Sequence, residues 1–358
     1  MLFQLYGDKS LYQLLGWVLV FVGLILLNEI GRRTKAGGIL IFVIIPIALT
    51  VYFIVMNVAA SSGAAWALDS QTHKYMNGWF HYAKLYAADI GCVGFMMIKY
   101  KWGIGKAKWF RAWPFVIVAI NILIAVGSDF ESAWHFYSSG EHWWKSTEDV
   151  WLYGGWWNIV NGIAGILNIL CMTAWWKVYS SKDGKDMIWP DMTIWFIIAY
   201  DLWNFEYTYL NLPTHTWYCG VALLLAPTFA NALWNKGAWI QNRANTLAIW
   251  CMFAQIFPLF QITEPFSVLP SLYKGATAAG VTAFDMTKIN TVEELVNAGV
   301  TANPIPQGVV AILAIAFNVI CLAVIIKRAR KLSINPYKDN VFVGTKDFEE
   351  ALERANVD

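Results

Sequence analysis

The sequence predicts an all-α fold: a polytopic transmembrane helical bundle of about nine spans, N-terminus outside and C-terminus inside. Three observations carry this. Of 358 residues, 58% are hydrophobic and only 14% are charged, whereas a soluble domain has roughly a quarter of its residues charged. Apolar runs of about 20 residues, the length of a bilayer-crossing helix, recur along the chain. The lysines and arginines between those runs alternate between rich and poor loops, which is the signature of connections lying on opposite faces of a membrane.

The spans fall near 11–29, 39–59, 79–98, 113–133, 151–176, 188–210, 216–234, 245–262 and 308–326. Arg32, Arg33 and Lys35 follow the first, and Lys99, Lys101, Lys106, Lys108 and Arg111 the third. Lys177, Lys182 and Lys185 follow the fifth, Lys236 and Arg243 the seventh, and Lys327, Arg328, Arg330, Lys331 and Lys338 the ninth. The other side holds only Lys9, Lys74, Lys145, Lys274 and Lys288. The richer side is expected to be cytoplasmic, in a cell membrane. The first run lacks a basic leader and a small-residue cleavage site, so it reads as a retained span. Residues 1–330 read as one membrane domain. An outer cap at 263–307 belongs to it, and a short cytoplasmic tail follows at 331–358.

Within the cap, Thr291-Val-Glu-Glu294 ahead of Leu295 is a capping-box pattern for a short helix ended by Gly299. In the tail, Thr345, early acids and the late Arg354 mark another helix. Cys92, Cys171, Cys219, Cys251 and Cys321 all lie in apolar runs without a CxxC pair and read as small hydrophobes at helix seams. The 21 tryptophans cluster at span ends, as an interfacial aromatic belt would.

The fifth run, Trp151 to Trp176, places Gly154, Asn158, Asn161, Gly165, Asn168 and Met172 on one helical face. Amides facing lipid would go unpaired, so the stripe must face protein or water. Other spans carry similar stripes. Asp89 lies about 15 Å into its span at 1.5 Å per residue, too deep to reach water, while Lys84 is shallow enough to snorkel outward. Asn121 shares a face with Asp129, and Asp201 with Asn204. Asn231 follows the mid-span Pro227, and Gln255 closes the stripe of the eighth span. Six spans with inward polar faces point to a shared interior cavity lined by Asp89, Asp201, Asn158, Asn161, Asn168, Asn204, Asn121, Asp129, Asn231 and Gln255. Spans one, two and nine should be peripheral.

All five histidines fall on the outer side, which leaves no buried pair for a haem. His135, His142 and Glu131 are the candidate ligands for a divalent metal at the outer face. The run Glu141-His-Trp-Trp144 with Gly154-Gly-Trp-Trp157 resembles part of the outer Trp-rich segment of haem-handling proteins, without its Trp-Asp core.

There is no P-loop, GxSxG, kinase set or dinucleotide fingerprint, so ATP-driven chemistry and the familiar soluble-enzyme chemistries are disfavoured. The expectation is a transporter or channel for a small polar or cationic solute, coupled to protons through Asp89 and Asp201. The alternative is an outer-face sensor or metal- or haem-handling protein using the His/Trp/acid cluster. The expected partners are the lipid bilayer and the solute, with no nucleic acid.

Overall fold

The computed structural model describes residues 1–5 and 8–357. It is all-α apart from three two-stranded ribbons. Each of the nine apolar stretches contains a helix. These are α1 Ser10–Arg33, α2 Lys35–Ser61, α3 Trp79–Tyr100, α4 Trp113–Ser139, α5 Trp156–Leu170, α6 Ile194–Asn211, α7 Trp217–Leu233, α8 Trp239–Ile256 and α9 Ile305–Leu332. Among the described residues, α1, α2, α9 and the segment Lys108–Ser139 containing α4 are long and apolar enough to cross a membrane. The exposed faces of α1, α2 and α9 are almost wholly apolar: Leu11, Leu19, Ile47, Val58, Val309 and Ile312 stand outward. Such a surface suits lipid and would be costly in water.

Two of the expected spans change. The stretch 151–176 is helical only over α5, 15 residues or roughly 22 Å. Trp151–Tyr153 instead pairs with Trp143–Lys145 as an antiparallel hairpin. Gly154 makes the turn out of it, because a Cβ there would lie 2.4 Å from the Ser132 carbonyl oxygen. Asn158 then accepts a hydrogen bond from the Gly155 N–H at 3.0 Å and so caps α5. The eighth helix begins at Trp239, not near 245, which draws Arg243 out of the loop and into the second turn of α8.

The connections gather by side. At one end Arg32, Lys99, Asp186, Lys236 and Arg354 are interlinked. Fully buried Asp186 accepts from Arg32 Nη1 at 3.0 Å, from Gln241 Nε2 at 3.1 Å and from Arg354. Lys99 donates to the Arg32 carbonyl at 2.9 Å. The tail helix α10, Lys346–Arg354, lies against this end with Phe348 and Ala351 buried. Lys236 ties it down through Asp347 at 2.7 Å.

At the other end the N-terminal residues, the 143–153 hairpin and the 263–307 segment form a second layer. Gln4 donates to the Pro270 and Tyr273 carbonyls at 2.9 and 2.8 Å, and Lys145 to the Thr287 carbonyl at 2.8 Å. The expected cap helix is Val292–Asn297, with the Thr291 hydroxyl accepting from the Glu294 N–H at 3.2 Å. Gly299 ends it at a positive φ of 83°.

Candidate functional site

An interior cavity of about 530 Å³ lies among α3, α4, α6, α7 and α8, beneath the second layer. Helical periodicity builds its wall. Phe80, Ala83, Lys84 and Ala87 present one face of α3, Tyr200, Trp203, Asn204 and Tyr207 one face of α6, and Arg243, Leu247, Trp250 and Cys251 one face of α8, all at three- and four-residue steps. Asn121 and Ala125 come from α4, and Cys219 and Leu223 from α7. Glu148, Asp149, Met286 and Thr287 stand at the mouth, where Asp149 is well exposed. Trp239, buried, packs edge-on against the lining residue Tyr200, its ring centroid 4.9 Å away, and the buried Gln241 donates to Asp186 at 3.1 Å.

The mouth is held by a side-chain contact between a histidine and a carboxylate. His81 Nε2 is 2.8 Å from the Glu148 carboxylate, and this hydrogen bond, ahead of opposing burial, lowers the Glu148 pKa. Gly78 makes the approach possible, since a Cβ there would stand 3.0 Å from Glu148 Oε1. The acid therefore sits at the N-terminus of α3, where the helix dipole favours a negative group. His215, in the turn between α6 and α7, also lines the cavity. Burial pushes its pKa down to about 3, so it is neutral at physiological pH.

The deeper wall is cationic. Arg243 is 7% exposed, and its Nη2 donates to Asn204 Oδ1 at 3.1 Å. Among the described residues its Nε and Nη1 have no hydrogen-bond acceptor. Lys84 lies over Phe80 with its ammonium 4.3 Å from the ring centroid and 5.8 Å from that of Tyr207. Both charges reach Cys219 and Cys251 electrostatically, which places them in one neighbourhood. Lys84, expected to reach outward as an anchor, therefore faces inward. Arg243, expected in a loop, is a wall residue.

Of the residues expected in the cavity, Asn204, Asn121 and Gln255 line it. Asn121 Nδ2 donates to the Ile117 carbonyl at 2.8 Å, and Gln255 Nε2 to the His81 carbonyl at 3.3 Å. The others lie in helix seams. Asp129 is fully buried and accepts from Asn161 at 2.8 Å and from Asn211 at 2.6 Å. Asn168 donates to Asn318 at 2.9 Å, and Asn318 to the Ala199 carbonyl at 3.0 Å. Asn231 accepts from the Gly237 N–H at 3.2 Å. Asp201 accepts from Thr228 at 2.7 Å, and Thr228 from Trp239 at 2.9 Å. Asp89 is buried in α3 and is not part of the lining. Neither acid lines the cavity: Asp201 is engaged by Thr228 of α7, while Asp89 Oδ1 is buried without a hydrogen-bond partner among the described residues.

The outer histidines are also engaged otherwise. His135 stacks on Trp144 at 4.0 Å. His142 lies between Phe136 and Tyr153 at 4.1 and 4.7 Å, with Nδ1 2.7 Å from the Gly154 carbonyl oxygen. Glu131 is exposed on α4. No group of three His, Cys, Asp or Glu side chains able to hold a metal exists among the described residues.

Neither a curated protein nor a solved structure matches the chain. The sequence model of one family covers residues 7–354. The chain belongs to that family of unknown function, DUF5692.

Proposed function

We propose that this protein is a multi-pass membrane protein of about nine spans, N-terminus outside, in a cell membrane, and that it carries a small organic solute by way of the interior cavity. The single observation behind this reading is the cavity itself. Its volume of about 530 Å³ lies within the range of small-molecule sites, roughly 300–1,000 Å³. It is walled by aromatic side chains with a few convergent polar groups, and its mouth is at the end that gathers the poorly basic connections. The opposite end is closed by the Arg32–Asp186–Arg354 cluster. A site reachable from one face and sealed from the other is one of the two states that alternating access requires.

Asp89 and Asp201 are not placed to exchange a proton against solute in the cavity, so proton coupling through them is not part of the reading. The positive wall favours an anionic over a cationic solute.

Uptake into proteoliposomes tests transport. Orientation is tested by labelling single cysteines at the exposed positions Lys106 and Ser139. Only Ser139→Cys should react with an impermeant reagent added outside intact cells. Reaction of both from outside refutes the topology, and no solute flux above empty liposomes refutes transport.

A further inference from the structure

We propose that the cavity is an anion site, and that its ligand is a small organic acid with an apolar body, its oxyanion held by Arg243 and Lys84. The inference deepens the solute-carrier reading and rests on it for access to the site, although binding can be measured without transport.

A guanidinium has five N–H donors, no acceptor, and stays charged at any physiological pH. Arg243 is 7% exposed; Asn204 accepts from its Nη2, the Tyr200 hydroxyl is a second neighbour within its reach, and no carboxylate pairs with it among the described residues. The Arg243 side chain lines the cavity, and its Nε and Nη1 are buried in that wall without an acceptor among the described residues. Two acids are close enough to feel its charge or that of Lys84. Asp201 is beyond ion-pairing distance and accepts from Thr228, and Glu148 is committed to His81 at the mouth. Tyr200, whose ring centroid is 5.8 Å from the guanidinium carbon, adds an aromatic face. Lys84 makes no ion pair among the described residues and rests on Phe80 and Tyr207. His215 is neutral and adds no competing charge.

Two cations without a carboxylate partner, in a site screened from bulk water, are complementary to a carboxylate or phosphate head. Most of the remaining wall is apolar, with Trp203, Trp250, Leu223, Leu247 and Ile124 prominent. That wall selects an organic body over a bare inorganic ion.

The full-length protein in detergent micelles, with tryptophans in the wall, reports binding through quenching of intrinsic fluorescence. Benzoate and phenyl phosphate carry the two candidate heads on one body. Benzamide and benzylamine carry a neutral and a cationic head, and inorganic phosphate lacks the body. Benzoate or phenyl phosphate is expected to saturate the signal below about 10 mM, the range of a fragment-sized ligand, and whichever is tighter identifies the head. Arg243→Gln should weaken that ligand roughly tenfold to a hundredfold, the value of a charge-assisted hydrogen bond. Lys84→Gln, on a half-buried side chain, is a second variant should the first fail to fold.

Binding of benzylamine or benzamide as tight as benzoate overturns the anion assignment. So does unchanged benzoate affinity in folded Lys84→Gln together with folded Arg243→Gln, or saturation by neither anion. Equal affinity for inorganic phosphate overturns the apolar body. Binding without flux of radiolabelled benzoate into proteoliposomes keeps the site and refutes transport alone.

Discussion

Replacing Asp186 tests what closes the bundle at the end opposite the cavity mouth. The carboxylate is completely buried and accepts from Arg32, Gln241 and Arg354. Breaking a buried pair from one side costs about 3–5 kcal/mol, because it leaves an uncompensated charge. Here the cost is smaller. Arg32 keeps Glu29, at 2.7 and 2.8 Å, and the Arg354 side chain is 27% exposed and can turn to water. Asp186→Ala is therefore expected to lose about 2 kcal/mol, most of it at the tail.

The tail has other anchors. Lys236–Asp347 is partly exposed and contributes at most about 1 kcal/mol. Val341, Phe342, Phe348 and Ala351 are buried, and the Val341 and Phe342 N–H groups donate to Asp191 at 2.9 and 3.4 Å. Arg328 donates to the carbonyls of Val341 and Val343, and backbone bonds join Lys182 to Arg354 and Asn356 to Ser180. Limited trypsinolysis in micelles should release the segment beyond Lys338 faster in Asp186→Ala and in Arg354→Met than in wild type. Thermal unfolding of both singles and the double should give a coupling of about 1 kcal/mol or more. A coupling near zero with unchanged proteolysis would show that the tail is held by its buried side chains and its hydrogen bonds to Asp191 and Arg328, and that the ion cluster contributes no closure.

Two further outcomes follow from buried polar groups. His215 has a folded pKa depressed to about 3, so between there and about 6.5 the unfolded chain binds the extra proton and stability falls as pH drops. The slope should average about 1 kcal/mol per pH unit between pH 7 and pH 5 and not exceed about 1.4, and His215→Gln should flatten it in thermal melts over that range; an unaltered slope would assign the acid sensitivity elsewhere. Asn161→Leu strips Asp129 of one of its two amide donors and should cost about 1–3 kcal/mol while benzoate affinity is unchanged. Loss of binding in a folded Asn161→Leu protein would return that amide to the cavity.

How far the chain could be read from its residues divides along one physical line. Hydrophobic length placed a helix in each of the nine apolar stretches, because burial in lipid and burial in protein both demand long apolar runs. It misjudged ends wherever a local backbone requirement intervened, as at Gly154, where close approach of the Ser132 carbonyl stops α5. It also misjudged Arg243, since a hydropathy window treats a charge as the edge of a span. The cap helix was legible because its signals, Thr291 and Gly299, lie only eight residues apart and bracket it. The polar stripes were legible as faces but not as destinations. Asn28, Asn235, Asn242 and Asn245 form a chain of side-chain hydrogen bonds of 3.0 Å joining α1, the α7–α8 turn and α8. Nothing in the spacing along one helix states which other helix supplies the partner.

That missing information also decides the sign of the interior. An amide or acid removed from lipid can be satisfied in a seam, where a neighbouring helix brings a short donor such as Asn161 to Asp129 or Thr228 to Asp201. A guanidinium or ammonium on a long stem is harder to satisfy there, because it must find several acceptors or an anion at the end of a flexible chain. The acids of this bundle lie between helices, and not all are satisfied there: Asp89 and Asp201 each keep one buried carboxyl oxygen, and Glu206 both, without a hydrogen-bond partner among the described residues. Lys84 and Arg243 instead extend to the wall of a cavity wide enough to take a partner. Counting intramembrane carboxylates suggests a cation pathway, whereas the charges on the deeper cavity wall have the opposite sign. A ligand meets only the groups that face its site, so in a helical membrane protein the unpaired charge lining a cavity is a better guide to the ligand than a carboxylate enclosed between helices.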